Sequence, residues 1–225
     1  MRILVLLGPE MAAEFRQKFP ENQGSHTYTF LQPQHITIEQ LTSADIVFDF
    51  LLHEKPARLS KYEPGQVVFC NAATVQLAAL VKQAEVAQHG ILFGFNGLPT
   101  LFNREVLEVS VLRSGDRDKL AEVCEALGTD YLLVDDRVGM VMPRMLCMII
   151  NEAFYTLQEQ TASITDIDLG MKLGTNYPQG PFEWAEQIGI TNVYKVLSAM
   201  YEDTRDERYK ICPLLKTAYL KGSIA

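Results

Sequence analysis

Over its first 135 residues the chain alternates short, almost unbroken apolar runs with segments of helical periodicity, and after Gly139 the alternation stops. The runs are Ile3–Leu7, Thr27–Leu31, Ile46–Leu51, Val67–Cys70, Ile91–Phe95, Val106–Leu112 and Tyr131–Val134. An apolar run without polar alternation marks a strand covered on both faces. Between the runs lie helical patterns. Gly8-Pro9 opens the first, Met11, Phe15 and Phe19 share its apolar face, and Pro20 stops it. The second runs from about Ala73 with Leu77, Leu80 and Val81 in one stripe. The third carries Leu120, Val123, Cys124 and Leu127 and ends at Gly128. Such strand–helix–strand order predicts a doubly wound, mostly parallel sheet over residues 1–135.

Residues 136–225 read as helices only. Pro143 to about Glu159 is apolar on nearly every face, the pattern of a core helix, and part of that surface is expected to meet a second copy of the chain. Ser163 and Thr165, each three residues before an aspartate, offer N-caps for a helix ending at Gly174. Gly180-Pro181 starts another, which Gly189 closes. Asn192 is placed as the cap of the next. The last runs from Pro213 to Gly222.

A net charge of −8 over 225 residues argues against nucleic acid and against an anionic membrane surface as partners. The four cysteines (Cys70, Cys124, Cys147, Cys212) sit apart inside apolar segments, without the paired spacing of a zinc site, so free thiols and no metal are expected. No run of 18 apolar residues occurs, and the apolar start is too short for a secretory signal. A cytoplasmic location is expected.

The run Asp168–Gly189, DLGMKLGTNYPQGPFEWAEQIG, combines acidic, apolar and turn residues in an order that composition alone does not produce. It resembles the C-terminal domain of the 3-hydroxyacyl-CoA dehydrogenases. The resemblance is strong from Asp136 through Asn151-Glu-Ala to Pro213-Leu-Leu-Lys216 and eroded before that. It implies a Rossmann-like domain followed by an all-helical one, NAD as cofactor and an acyl-CoA substrate.

Position by position, much of the chemistry that the resemblance implies is missing. Where the family places G-x-G-x-x-G after the first strand, this chain has Gly8-Pro-Glu10-Met-Ala-Ala13. Glu10 sets a carboxylate where two phosphates belong. Two unit charges 4 Å apart repel by about 4 kcal/mol at an effective dielectric of 20. The second strand ends at Gln32, a neutral residue, where an acid would hold the ribose, and Pro33 follows. Only some fourteen residues then lead to Ile46, too few for the helical pair that helps hold the CoA nucleotide in the family.

The segment resembling HFFNP reads Phe93-Gly-Phe-Asn96-Gly97, so Phe93 stands at the position of the catalytic histidine, and a phenyl ring accepts no proton. His89 lies four residues back, roughly 13 Å along a strand. His26, His35 and His53 belong to other segments. The orienting carboxylate falls on Glu105 by ungapped count or on Glu108 by local pattern. Asn71 and Thr74 are what remains polar of the N-T-S-S turn. Pro143 replaces the substrate-facing asparagine of P-G-F-I-V-N-R, while Arg144 is kept.

The expectation is a family protein that keeps the fold and a homodimer through its C-terminal helices and has lost NAD-dependent oxidoreductase activity, with Gly8, Glu10 and Gln32 as a vestigial cofactor site. An apolar cleft at Phe93, Phe95, Met142 and Pro143 is expected to bind an apolar ligand or to act as a partner surface, and an acyl-CoA-like ligand is the other expectation. The alternatives are an active NAD-dependent 3-hydroxyacyl-CoA dehydrogenase of fatty-acid metabolism and a structural or regulatory subunit without a ligand.

Overall fold

The computed structural model describes residues 1–20, 26–32, 36–86 and 90–224. The chain divides into two compact units, one of Met1–Gly97 with Leu101–Met140 and one of Leu98–Thr100 with Val141–Ala225.

The first unit holds seven strands: β1 (Arg2–Leu6), β2 (Thr27–Leu31), β3 (Ile46–Asp49), β4 (Val67–Asn71), β5 (Ile91–Phe95), β6 (Val106–Val111) and β7 (Asp130–Val134), in spatial order β2-β1-β3-β4-β5-β6-β7. All seven apolar runs are strands. Neighbours pair in parallel except β5 and β6, where Phe95 faces Val109 and Phe93 faces Val111 in antiparallel register. The cause is local. Residues 96–105 connect β5 to β6 without a helix, and a parallel return usually needs a helical crossover.

Side chains alternate between two cores. Val5, Phe48, Phe69, Phe93, Phe95 and Val109 pack on one face with Phe15 of α1 (Ala12–Lys18) and with Leu120 and Val123 of α4 (Arg117–Leu127). Leu4, Leu6, Val47, Val68 and Leu92 pack on the other, with Leu41 of α2 (Ile38–Thr42) and Leu77 and Leu80 of α3 (Leu77–Ala84). Successive strand residues point to opposite faces, and burial of both faces explains why the runs of β1, β3, β4 and β5 lack polar alternation.

Helix α3 starts at Leu77, not near Ala73. Asn71 Oδ1 accepts the Ala73 N–H (3.2 Å) and holds the chain in a turn. The Asp136 carboxylate then accepts the N–H groups of Leu77 (2.7 Å) and Ala78 (3.1 Å).

The second unit holds α5 (Met142–Gln158), α6 (Ile164–Thr175), α7 (Pro181–Ile188), α8 (Ile190–Thr204) and α9 (Pro213–Lys221). Helix α5 packs on α7, α8 and α9, with Phe154 against Phe182 at 5.0 Å between ring centres. It is amphipathic rather than apolar-buried all round, because Met142 and Met145 stay exposed. Ser163 caps α6 by accepting the Asp166 N–H (3.2 Å). Asn192 is not a cap. Helix α8 begins two residues earlier, directly after Gly189 (φ +88°), and the Asn192 amide donates back to the Ile188 carbonyl at 2.7 Å. No helix among the described residues is long and apolar enough to cross a membrane.

Candidate functional site

In open sheets with parallel strands, ligands bind beyond the carboxyl ends of the strands. Six residues define that edge in the first unit. Gly8 follows β1, Gln32 follows β2, Asp49 ends β3, Asn71 ends β4 and Asn96 follows β5. Glu108 belongs to antiparallel β6, whose backbone carbonyl at that residue accepts the Asn96 N–H (3.2 Å).

Gly8 has φ −73° and ψ 160°, an ordinary extended conformation that any residue adopts. Its bare Cα matters for another reason: a Cβ there would overlap the Glu10 carboxylate, which folds back over it. Glu10 itself is exposed, and so is Gln32. Pro33, His35 and His89 lie outside the described residues.

Asp49 is fully buried. Its carboxylate accepts from the Arg58 guanidinium (2.5 Å), the Tyr62 hydroxyl (2.8 Å) and the Leu51 N–H (3.0 Å). Burial pushes its carboxyl pKa up, and the Arg58 charge with the three hydrogen bonds opposes that shift. Loss of one partner would leave an uncompensated interior charge. A sequence signal for this cluster existed: one aspartate inside the run IVFDFL demands a buried cation.

Asn71 Oδ1 accepts a second N–H, from Gly97 (3.1 Å), and so ties the ends of β4 and β5 together. The Asn96 amide contacts the Glu108 carboxylate at 3.4 Å, and both side chains are buried. Glu105, the ungapped candidate, is exposed, and its backbone carbonyl accepts from the Lys18 ammonium (2.8 Å). Thr74 is half-buried in the turn before α3.

Phe93 lies on the wrong face for a dyad. Its ring is fully buried in the aromatic core, 5.2 Å from Phe69. Positions 94 and 96 point to the other face: a Cβ on Gly94 would meet Ser110 and Ala72, and Asn96 meets Glu108. A side chain at 93 therefore does not reach Glu108. Phe95 is buried against Phe48, Phe50 and Phe102. The expected ligand surface at Phe93 and Phe95 is corrected, since both rings were consumed by the core.

In the second unit Pro143 is buried and Met142 exposed. Arg144 donates to the Tyr209 hydroxyl and lies over that ring, 5.3 Å from its centre. His26 Nε2 meets the Ala126 carbonyl (2.8 Å), away from the carboxyl edge. Among the described residues no three His, Cys, Asp or Glu side chains form a group able to hold a metal.

The residues that made the C-terminal half recognisable turn out to bind backbone. The Asp168 carboxylate accepts the N–H groups of Phe182 (2.8 Å) and Glu183 (3.2 Å) at the start of α7. Gly180 passes so close that a Cβ would overlap the carboxylate. Asn151 donates to the Lys210 carbonyl (2.9 Å) and accepts from the Cys212 N–H (2.9 Å), fixing the segment ahead of α9. Spacings of 14 to 61 residues hide these bonds from any local pattern.

A doubly wound, mostly parallel sheet followed by a helical unit is a Rossmann-like arrangement. The (S)-3-hydroxybutyryl-CoA dehydrogenase of Ralstonia eutropha has the same fold, with TM-score 0.73 and 20% identity over 98% of this chain and 94% of that one. Residues 139–224 match the family model described as 3-hydroxyacyl-CoA dehydrogenase, C-terminal domain. Over residues 139–224 the chain is therefore similar to the C-terminal domain of the 3-hydroxyacyl-CoA dehydrogenases. The 3-hydroxybutyryl-CoA dehydrogenase of Bradyrhizobium diazoefficiens is 27% identical over 181 residues, 80% of this chain. This chain spans only 61% of that relative's length. The 3-hydroxyadipyl-CoA dehydrogenase of Escherichia coli is 42% identical over 96 residues, which are 43% of this chain and 20% of that protein.

Proposed function

We propose that this chain is a 3-hydroxyacyl-CoA dehydrogenase-family protein that does not transfer hydride and serves as a scaffold acting through its helical unit. The observation that carries this reading is the state of the sheet's carboxyl edge. Asp49, Asn71 and Glu108 each contact a partner in the chain's own backbone or side chains. The position of the proton-accepting histidine holds Phe93, turned into the core. Loss of a general base alone costs about 10²–10⁴ in rate.

The residues after β1 and β2 do not fit NAD. A diphosphate approaching Gly8 meets the Glu10 carboxylate, and Gln32 offers a neutral amide in place of an acid for the ribose. Titration calorimetry of the purified protein with NADH and with acetoacetyl-CoA tests the reading. No heat of binding for NADH up to millimolar concentration is expected, and saturable NADH binding refutes it.

Self-association as a homodimer through the helical unit belongs to the same proposal. Exposed Leu169 (48%) and Leu173 (78%) support it, because they lie one turn apart on α6 and present adjacent apolar side chains to solvent. Light scattering behind size exclusion reads the mass directly, and a monomer at micromolar concentration refutes this part. Four buried free thiols support a reducing, cytoplasmic setting.

A further inference from the structure

We infer that Glu10 closes the diphosphate subsite as an internal anion, standing at the second glycine position of the fingerprint with its carboxylate folded over Gly8. The inference rests on the reading above and deepens it, naming one side chain as the block. Three observations carry it.

First, Gly8 is not kept for its conformation, since φ −73° and ψ 160° suit any residue. Second, its missing Cβ is used: the Glu10 carboxylate fills the space where that atom would stand. In a dinucleotide site the glycine two places on lets the backbone approach the phosphates, and here that position carries Glu10, whose carboxylate lies over Gly8. Third, Glu10 lies within the short helical turn Pro9–Met11 that follows Gly8 and precedes α1, so its charge stays beside that glycine. An anion is already present there, and a second would be repelled. At the neighbouring β3 end the Arg58 guanidinium is held by Asp49.

The test uses ADP-ribose, which carries the diphosphate and both riboses but no nicotinamide, with the full-length wild type, Glu10→Gly and Glu10→Gln. Glu10 is exposed and is expected to leave the thermal midpoint unchanged in both variants, which checks folding independently. The wild type is expected to give no saturation at millimolar ADP-ribose. Glu10→Gly is expected to bind at least tenfold tighter, with about a thousandfold as the ceiling set by two unit charges near 4 Å. Glu10→Gln, which keeps the bulk and loses the charge, is expected between the two. Equal affinity of Glu10→Gly and wild type overturns the inference, as does micromolar binding by the wild type. Binding of ADP-ribose without turnover leaves the absence of hydride transfer standing, whereas turnover with NADH refutes that reading whatever Glu10 does.

Discussion

Replacing Asp168 by alanine should destabilise the helical unit by about 2–4 kcal/mol. The carboxylate is buried and accepts two N–H groups at the start of α7, from Phe182 at 2.8 Å and Glu183 at 3.2 Å. Without it two donors lose their acceptor in a protected place. Each unsatisfied group costs about 1–3 kcal/mol, and loss of an N-cap alone costs about 0.5–2 kcal/mol. For a chain of this size each kcal/mol moves the midpoint by roughly 2–4 °C, so a fall of roughly 5–15 °C is expected in a thermal melt followed by circular dichroism. Gly180→Ala provides an independent route to the same loss. Its backbone (φ −78°, ψ 164°) accepts alanine, but the new Cβ would overlap the Asp168 carboxylate and push it off α7. The double variant should then cost little more than Asp168→Ala alone, a strong non-additivity in a mutant cycle. Additive losses, or an Asp168→Ala midpoint within experimental error of the wild type, would refute the cap.

Asn151→Ala should cost about 2–4 kcal/mol by freeing the Lys210 carbonyl and the buried Cys212 N–H, read as a lower denaturant midpoint and faster hydrogen exchange at Cys212. Phe93→His should lower stability by about 2–4 kcal/mol and generate no dehydrogenase activity, since position 93 faces the Phe69 core and not Glu108. A gain of NADH-dependent turnover in that variant would refute the facing. Burial pushes the Cys147 thiol up to about 12 from an ordinary value of 9.0. Above pH 9 the unfolded chain loses that proton and the folded one keeps it, so stability should fall with rising pH between 9 and 12. Chemical denaturation along that range, with alkylation confirming an unreactive native thiol, measures it.

The strands were legible because burial on both sheet faces leaves an unmistakable apolar run. Strand direction was less so. The reversal at β6 follows from the helix-free stretch 96–105, a signal of connection length rather than of any residue. The start of α3 was misplaced near Ala73 because its true cap, Asp136, arrives from 59 residues away. Asn192 carried the chemistry of a cap, yet Gly189, with φ +88°, turns the chain first. At the candidate site, the type and position of Glu10 and Phe93 could be read from the sequence, but not where their side chains point. That Phe93 faces the core and Asn96 faces Glu108 depends on strand register, and that Asn71 binds two backbone N–H groups depends on the approach of β5. The stretch that carries the strongest resemblance, from Asp136 to Gly189, holds the architecture: Asp136 and Asp168 hold helix starts and Asn151 holds a connecting segment.

The most direct test of lost hydride transfer is a single-turnover experiment, with protein in excess over NADH and acetoacetyl-CoA supplied at saturation. Nicotinamide absorbance should stay at its starting value over hours, indistinguishable from a protein-free control. Stoichiometric oxidation of the NADH, at any rate above that control, would contradict the proposal and place a working base somewhere other than position 93.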